Sequence, residues 1–397
     1  MAIAKKMQGF VENGSMIRKM FEEGARLRDI HGADKVFDFS LGNPNVPPPA
    51  ALKARLRAVV DEDEPSLHAY MPNAGLPEAR EAIAARVGAE QGVKLSGAQV
   101  VVSCGAAGAL NIVFKSLLDP GDEVLVSAPY FVEYGFIADN HGGVLKAVPT
   151  LPDFSLDVEA LEAAMGPRTK IVLVNTPNNP TGRIYSADSL AALAAAIERA
   201  NRKHGLAIYL VSDEPYRRLA YGGVAVPSPL ASYRNSIVAT SHSKDLSLPG
   251  ERIGFAVVNP EAEDAKELMA ALTLANRILG FVNAPSLWQK VIAGIGDATV
   301  DVSIYERKRD ILAAGLRAAG YEFVLPEGAF YLFPKSPFPD EARFVELLKA
   351  ENILVVPGSG FGAPGWFRIA YCVDDRVIAG ALPGFERAMK AALRAIR

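Results

Sequence analysis

Two apolar runs flank a long helical pattern in the segment TKIVLVNTPNNPTGRIYSADSLAALAAAIERANRKHGLAIYLVSDEPY, residues 169–216. Each run is apolar on consecutive positions, which is typical of a strand covered on both faces. A strand, a helix and a second strand in this order favour parallel pairing of the two strands. The segment therefore predicts an α/β fold with a mostly parallel sheet.

Further apolar runs of strand length lie on both sides of this segment, again with helical patterns between them. They are QVVVSC (99–104), DEVLVSAPY (122–130), GGVLKAVPT (142–150), SIVATS (236–241) and RIGFAVVN (252–259). With the first two runs they make seven predicted strands. We expect them to form one large domain over residues 45–285.

The sequence pattern changes after residue 285. Helical patterns at 305–320 and 340–352 alternate with strand-like YEFVLPEGAFYLFP (321–334), ILVVPGSGFG (353–362) and WFRIAYC (366–372), and a final helix follows. This part predicts a smaller α+β domain over residues 286–397. The N-terminal segment 1–44 is expected to join it, with NPNVPPPA (43–50) as an extended connector.

Composition limits the kinds of partner. The 397 residues include 42 basic and 45 acidic side chains, so a net charge of −3 gives no reason to expect nucleic acid. No run approaches the roughly 18 apolar residues of a membrane span, and the N-terminus lacks the apolar stretch of a signal peptide. Two cysteines, Cys104 and Cys372, are too few for a disulfide framework. We expect a cytoplasmic protein that does not bind membranes.

Polar side chains follow three of the predicted strands. NTPNNPTG follows the first run quoted above, Asp213 and Tyr216 follow the second, and Lys244 follows SIVATS. Because ligands of open α/β sheets gather at the carboxyl ends of the strands, these side chains are expected to share one site.

The chain resembles the class I/II aminotransferases, pyridoxal-phosphate enzymes of fold type I with an aspartate-aminotransferase-like architecture. The resemblance covers nearly the whole chain. It runs in order through LGNP, YMPNAGLPEAR, GAAGAL, NTPNNPTG, SDEPY, SHSKDLSLPGERIG, EGAFYLFP and FRIAYC. It implies a large domain with a mostly parallel seven-stranded sheet flanked by helices, a smaller α+β domain, and pyridoxal 5'-phosphate as cofactor.

The resemblance implies a role for each strand-end residue. Lys244 would be the Schiff-base lysine and then the base that moves the α-proton; otherwise it is a solvated surface lysine. Asp213 would face the pyridine nitrogen and keep it protonated, or be an acidic helix cap. Tyr216 and Asn179 would hydrogen-bond the phenolic oxygen of the cofactor, with Asn179 also beside the substrate; the other interpretation of Asn179 is a turn residue.

Phosphate binding is expected where SCGAAGAL passes from strand to helix. Gly105, Ala106 and Ala107 let the helix N-terminus approach a dianion, although small residues also occur wherever a helix packs tightly. Ser241 and Arg252 would add a hydroxyl and a guanidinium fork to the same phosphate.

Two aromatic residues complete the implied cofactor site. Tyr70 in HAYMPNAG matches the tyrosine that reaches the phosphate from a neighbouring subunit, which requires a homodimer with sites at the interface. Phe131 is expected to stack on the pyridine ring, in preference to Tyr130. A buried core phenylalanine is the other interpretation of Phe131.

Substrate contacts are assigned to three residues. Arg368 would grip the α-carboxylate, or form a structural ion pair with Asp374 or Asp375. Gly42 offers its backbone to the same carboxylate, or is a plain turn glycine. Arg277 would bind a second carboxylate on the substrate side chain, or is a surface or interface arginine.

The function predicted from this resemblance is amino transfer from an L-amino acid to a 2-oxo acid, by a ping-pong mechanism through an aldimine on Lys244 and without a metal. A carbon–sulfur β-lyase on the same fold is the alternative, because the motifs do not separate the two reactions. A non-catalytic regulator is the remote alternative. It would need a DNA-binding module, for which the chain leaves no room before LGNP.

Overall fold

A seven-stranded sheet forms the centre of the larger domain in the computed structural model, which describes residues 2–12, 16–62 and 64–396. Its strands are β2 (Val100–Ser103), β3 (Glu123–Ala128), β4 (Val144–Pro149), β5 (Thr169–Asn175), β6 (Tyr209–Asp213), β7 (Ser236–Ser241) and β8 (Gly254–Val258). Each lies within one of the seven predicted runs. The fold class expected from the sequence is confirmed.

The spatial order of the strands is β2-β8-β7-β6-β5-β3-β4. Only β8 runs against its neighbours; it pairs antiparallel with both β2 and β7, and all the other pairs are parallel. The carboxyl ends of β5, β6 and β7 therefore lie side by side at one edge of the sheet.

Helices cover both faces of this sheet, which explains why its strands are apolar on consecutive positions. The helices of the chain up to this domain's end are α1 (Lys5–Glu12), α2 (Met16–His31), α3 (Ala50–Asp61), α4 (Pro77–Gln91), α5 (Gly105–Leu117), α6 (Glu133–Asn140), α7 (Val158–Ala164), α8 (Ala187–His204), α9 (Pro229–Ser232), α10 (Ala265–Ile278) and α11 (Ser286–Ala293). One face packs against α5, α6 and α10. The other packs against α3, α4 and α11 at one side and α7 and α8 at the other.

The smaller domain is built on three helices and short strands. These are α12 (Val302–Ala318), α13 (Glu341–Ala350) and α14 (Asp375–Ile396), with β1 (Phe37–Asp38), β9 (Tyr331–Leu332), β10 (Ile353–Leu354), β11 (Val356–Pro357) and β12 (Phe367–Ala370). β11, β12 and β9 form an antiparallel sheet. The strand-like pattern at 321–334 is mostly irregular chain, because its only strand residues are those of β9.

The N-terminal segment joins the smaller domain through β1, which pairs in parallel with β10, and through Phe39, which lies in that domain's core. Helix α1 is an exception. Its Phe10 ring meets Phe136 of α6 edge-on at 4.9 Å, so α1 contacts the larger domain.

Helix α11 also bears on the domain boundary expected at residue 285. Its Val291 and Ile292 are buried in the core beneath the large sheet, together with Ile295 just beyond it. Val300, by contrast, belongs to the core of the smaller domain. We therefore propose a boundary close to residue 300.

Among the described residues, no helix is both long enough and apolar enough to cross a membrane.

Candidate active site

Three polar residues end adjacent parallel strands and create the site. Asn175 ends β5, Asp213 ends β6 and Ser241 ends β7, and Asn175 lies opposite Asp213 in the strand register. The Asn175 amide donates to the backbone carbonyl of Asp213 at 2.8 Å and its Oδ1 accepts from the backbone N–H of Asn179 at 2.7 Å. One side chain thus fixes the loop of NTPNNPTG against the end of β6.

A cavity of about 860 Å³ opens at this edge, between the two domains. This volume lies in the range of ordinary cofactor and substrate sites. The sequence-predicted residues on its wall are Gly42, Ala106, Ala107, Phe131, Asn179, Asp213, Tyr216, Ser241, Lys244, Arg252 and Arg368. The fold therefore brings together residues from seven separate stretches of the chain.

Lys244 lies just after β7 with its amine inside the cavity. Its Nζ donates to the carbonyl of Gly42 at 2.7 Å and lies 5.3 Å from the ring centre of Phe330. Burial lowers the pKa of Lys244 to about 8, and the nearby Arg368 and Arg252 act in the same direction. A buried amine of this kind is partly neutral near pH 8, as a nucleophile and proton acceptor must be. The surface-lysine interpretation does not fit this position.

Asp213 is fully enclosed at the floor of the cavity. Its Oδ2 accepts a hydrogen bond of 2.6 Å from the hydroxyl of Tyr134, whereas Oδ1 is buried and has no partner in the described part of the chain. Burial raises the pKa of this carboxyl to about 7; the Tyr134 hydrogen bond opposes the rise and Glu214 adds to it. Since Asp213 ends a strand, it is not a helix cap.

The start of α5 and Arg252 form a cradle at one end of the cavity. Gly105 has φ +74°, and a Cβ on it would lie 2.5 Å from the guanidinium of Arg252. That guanidinium donates to the carbonyls of Pro249 and Cys104 at 2.9 and 3.4 Å, which holds it beside the first turn of α5. Backbone N–H groups of a helix N-terminus and a fixed guanidinium are together a site for an anion. Gly105 itself does not line the cavity, whereas Ala106 and Ala107 do.

The Ser241 hydroxyl is held near this cradle by another hydroxyl. Its Oγ donates to Oγ of Ser243 at 3.0 Å, and both serines are buried on the cavity wall. Lys244 follows directly in the chain, so the SHSK segment presents its two serines and its lysine to one space.

Tyr216 and Asn179 belong to a buried polar cluster that also contains Tyr331 and Arg368. The Tyr216 hydroxyl is 2.7 Å from that of Tyr331 in β9. Asn179 Oδ1 accepts a hydrogen bond of 3.1 Å from Arg368. Burial holds the pKa of Tyr216 well above its usual range, so its hydroxyl stays a hydrogen-bond donor.

Arg368 projects from β12 and is only 2% exposed. Besides Asn179, it donates to the Ser40 carbonyl at 2.5 Å, and the ring of Tyr331 lies 4.6 Å from its guanidinium carbon. Its Nε is buried without a partner among the residues that the structure describes. A buried cation with a spare donor is suited to bind a carboxylate.

The ion pair considered as an alternative for Arg368 is not formed. Asp375 pairs with Arg307 at 2.9 Å and Asp374 lies 3.8 Å from Arg376. Both aspartates instead form ion pairs with other arginines on the surface.

Phe131 lies on the cavity wall and Tyr130 does not. The Phe131 ring meets Tyr134 edge-on, with ring centres 5.6 Å apart and an angle of 88° between planes. Tyr130 instead lies against Gly362 of the smaller domain, where its ring would be 2.8 Å from a Cβ on that glycine.

Tyr70 and Arg277 do not reach the cavity within this chain. Tyr70 is 94% exposed. Arg277, near the end of α10, lines a separate surface depression with Asn73 and Arg80. Either side chain would need a second subunit to take part in a site.

Sequence reasoning missed Tyr134, Tyr331 and Ser40. Tyr134 is three residues after Phe131, a spacing that places both on one side of a helical turn, and this was the available signal. Ser40 contributes only a backbone carbonyl, for which side-chain patterns give no signal.

His242 and Asp245, on either side of Lys244 in the sequence, belong to a second buried polar group. His242 Nδ1 is 3.1 Å from Asp245 Oδ2 and its Nε2 is 3.2 Å from an Arg86 nitrogen. Because arginine is always a donor, Nε2 accepts and Nδ1–H donates, so His242 is neutral here. Asp245 is thus a buried structural charge.

The described residues fit pyridoxal phosphate. The partnerless Oδ1 of Asp213 can accept from a protonated ring nitrogen, and the α5 cradle with Arg252 can hold a phosphate. The amine of Lys244 opens into the same space. Each polar end of the cofactor would thus meet a group of matching chemistry.

The sequence matches the family described as "Aminotransferase class I and II" over residues 34–383. It is 35% identical to the aspartate/prephenate aminotransferase of Thermus thermophilus over 356 residues, covering 88% of this chain and 89% of that protein. It is 30% identical to the aspartate aminotransferase of Thermotoga maritima over 376 residues, covering 93% and 96%.

Solved structures agree with the sequence matches. An aminotransferase from Eubacterium rectale superposes with a TM-score of 0.95 at 39% identity, covering 98% of this chain and 99% of that one. The aspartate aminotransferase of Thermus thermophilus with maleate gives 0.86 at 31% identity, covering 98% and 100%. The chain therefore belongs to the class I and II aminotransferase family, and it is a pyridoxal-phosphate-dependent enzyme of fold type I that transfers amino groups between amino acids and oxo acids.

Proposed function

We propose that Lys244, Asp213, Arg252 and Arg368 carry out this amino transfer in the cavity at the carboxyl end of the sheet. The observation that carries the proposal is their convergence. A buried amine, a buried carboxylate with a spare oxygen, a guanidinium beside a helix N-terminus and a buried guanidinium with a spare donor all line one cavity.

When bound, pyridoxal phosphate supplies an electron-accepting ring that stabilises negative charge at the α-carbon of the substrate. Arg252, Ser241 and the first turn of α5 would bind its phosphate. Oδ1 of Asp213 would accept from its ring nitrogen, Tyr216 and Asn179 would donate to its phenolic oxygen, and Phe131 would cover one face of its ring. These assignments follow from the chemistry and position of each side chain described above.

Arg368 would bind the α-carboxylate of the amino acid and orient its Cα–H bond, with the Gly42 backbone beside it. Nζ of Lys244 would then take the proton from the α-carbon. Burial supports this role, because the lowered pKa of about 8 gives a substantial neutral fraction near physiological pH. The same amine would return the proton when the second substrate, an oxo acid, is aminated.

Absorbance of the purified enzyme tests the proposal. Addition of an amino acid donor without an acceptor is expected to remove the visible absorbance of the bound cofactor, and a 2-oxo acid is expected to restore it. Lys244→Ala is expected to lose both changes, while Lys53→Ala, an exposed lysine on α3, keeps them. Normal turnover by Lys244→Ala would exclude the assignment.

The β-lyase alternative is separated by its products. Cystathionine would yield pyruvate and ammonia without any acceptor acid if elimination were the main reaction. The relatives named above are all aminotransferases, which supports amino transfer.

Two further proposals concern the assembly and the cellular location of the protein. A homodimer is supported by the almost complete exposure of Tyr70, a large side chain that reaches no site in its own subunit. A cytoplasmic location is supported by the cysteines, which are both unpaired.

The preference for a dicarboxylate remains a proposal that depends on the dimer. Arg277 lies outside the cavity of its own chain, so it can meet a substrate only across a subunit interface. If Arg277→Ala leaves the preference between aspartate and alanine unchanged in steady-state kinetics, this proposal falls.

A further inference from the structure

Tyr134 is a buried hydroxyl beside the reacting centre that the mechanism above does not use. It lies in the first turn of α6, is completely buried and lines the cavity. Its hydroxyl donates to Oδ2 of Asp213 at 2.6 Å, the short distance of a bond to an ionised acceptor. Its ring meets Phe131 edge-on. Tyr134 therefore contacts both a group assigned to the ring nitrogen and the one assigned to the ring face.

Fold stability alone does not account for this pair. A carboxylate and a phenol buried together lose their hydration, and an apolar pair of similar volume is often as stable or more stable. Only one of the two carboxylate oxygens is satisfied among the described residues, which makes the position still less favourable.

Two effects oppose the ionisation of Asp213. Burial is the larger, and Glu214, the next residue, adds repulsion. Tyr216 faces Asp213 from the following loop and Tyr185 faces Tyr134 from beyond it, and both are buried phenols. Tyr134 is the group that favours the ionised carboxylate, since a hydrogen bond to the charged form stabilises that form. Burial holds the pKa of Tyr134 well above its usual range, so it remains a donor.

We propose that Tyr134 is a positioning residue that keeps Asp213 ionised and turns it so that Oδ1 is left for the ring nitrogen of the cofactor. This inference rests on the proposed role of Asp213. It predicts that removal of the Tyr134 hydroxyl weakens the contact between Asp213 and the ring nitrogen specifically, and leaves the phosphate and aldehyde contacts unchanged.

The test compares two cofactors on the full-length protein after cofactor removal. One is pyridoxal phosphate and the other is its 1-deaza analogue, in which a carbon replaces the ring nitrogen. Tyr134→Phe is expected to weaken binding of pyridoxal phosphate about tenfold or more, because a hydrogen bond to a charged group is lost. Binding of the deaza analogue is expected to change less than about twofold. Tyr130→Phe, which removes a hydroxyl in the same loop outside the cavity, should change neither affinity.

Asp213→Asn separates the inference from the function on which it rests. One outcome is that Asp213→Asn abolishes the difference in affinity between the two cofactors while Tyr134→Phe weakens the binding of both equally or of neither. In that case the role of Tyr134 is overturned and that of Asp213 stands. If Asp213→Asn leaves this difference unchanged, the proposed role of Asp213 falls as well.

A second variant keeps both the ring and the hydroxyl at position 134. Replacement of Tyr134 by 3-fluorotyrosine keeps the ring and makes the hydroxyl a stronger donor. Affinity for pyridoxal phosphate should fall as pH drops and Asp213 takes up a proton; fluorotyrosine should move that fall to lower pH, and Tyr134→Phe to higher pH. The absence of both shifts would overturn the proposal.

Discussion

Burial of the Lys244 amine has a consequence for stability that can be measured without substrate. Its pKa in the cofactor-free fold is about 8, against an ordinary value of 10.5. Between these pH values the unfolded chain holds a proton that the folded chain has released, so stability rises with pH through this window. Below it, the buried charge costs the fold about 3 kcal/mol.

Lys244→Met should therefore be more stable than the cofactor-free wild type near pH 7, and this difference should shrink by about 3 kcal/mol as the pH reaches 10.5. Urea unfolding followed by circular dichroism measures it. The exposed Lys53→Met serves as the control and should show no such dependence. An equal difference at both pH values would contradict the buried titration.

Arg368 is the residue for which charge and geometry can be separated. Arg368→Lys keeps a cation on β12 but loses the planar fork and the spare Nε donor. The KM for amino acid donors is expected to rise about ten- to a hundredfold, because a bidentate contact becomes a single one. Affinity for the cofactor should not change. Arg307→Lys, an exposed arginine paired with Asp375, should leave both unaffected; an unchanged KM in Arg368→Lys would remove its assigned role.

Residues whose chemistry lies in a sequence motif could be predicted, and those defined by contact could not. Lys244 and Arg368 both line the cavity as expected. Tyr134 and Tyr331 matter only because α6 and β9 fold against the ends of β6 and the loop after it. Those contacts link segments 79 and 115 residues apart, which no local pattern encodes.

At the scale of elements, the junction of β2, β8 and α5 determines the shape of the cradle that we propose for the phosphate. A Cβ on Gly254 of β8 would lie 2.4 Å from the backbone of Gly105, so this strand and the start of α5 touch. Gly105→Ala should strain a backbone at φ +74° and also push Arg252 out of place.

Gly105→Ala is expected to weaken pyridoxal phosphate binding about tenfold, since one phosphate contact of about 1.5 kcal/mol is disturbed. Gly92→Ala is the matched control, because its φ is +67° and nothing lies within 4 Å of its Cβ site. Both variants should lose about 1 kcal/mol of stability from backbone strain. Fluorescence titration with the cofactor separates them; equal affinities would mean that the cradle does not hold the phosphate.

The seven strands of the large sheet could be predicted because each is a short apolar run between turn residues. Their order could not be predicted. A strand buried on both faces carries no alternation that records its direction, so the antiparallel insertion of β8 between β2 and β7 has no signature in RIGFAVVN. The prediction of extended strand at 321–334 was wrong for a related reason. Its apolar residues fill the core of the smaller domain from an irregular path, and apolar content alone does not require strand pairing.

At the scale of the whole molecule, the cavity lies between the core of the large sheet and the core of the smaller domain, into which Tyr216, Leu219 and Tyr221 of the larger domain also pack. The larger domain contributes Asp213, Lys244 and Arg252, and the smaller one contributes Arg368. The proposed sites for the cofactor and the α-carboxylate therefore belong to different domains, and their spacing depends on how these domains meet. Patterns along the chain predict two domains, and the packing of helix α11 beneath the large sheet is the reason for the boundary that we propose close to residue 300.

The proposed homodimer makes a prediction that one subunit cannot satisfy. If Tyr70 reaches the phosphate of the opposite site, a dimer of one Tyr70→Ala subunit and one Lys244→Ala subunit holds one site with both defects and one with neither. Each variant alone should have low activity. Their mixture, after unfolding and refolding together, should recover activity that neither parent shows. A mixture of Lys244→Ala and Arg368→Lys should not recover activity, because both residues line the cavity of their own chain and each site of the mixed dimer keeps one defect.

The refolded mixture of Tyr70→Ala and Lys244→Ala is therefore measured against each parent at equal total protein, with sedimentation confirming the dimer. Tyr70 is 94% exposed and reaches no cavity of its own chain, so an effect on activity requires a neighbour. Recovery supports a site shared across the interface. A Tyr70→Ala variant with full activity, or a protein that sediments as an active monomer, would place the complete site within one chain.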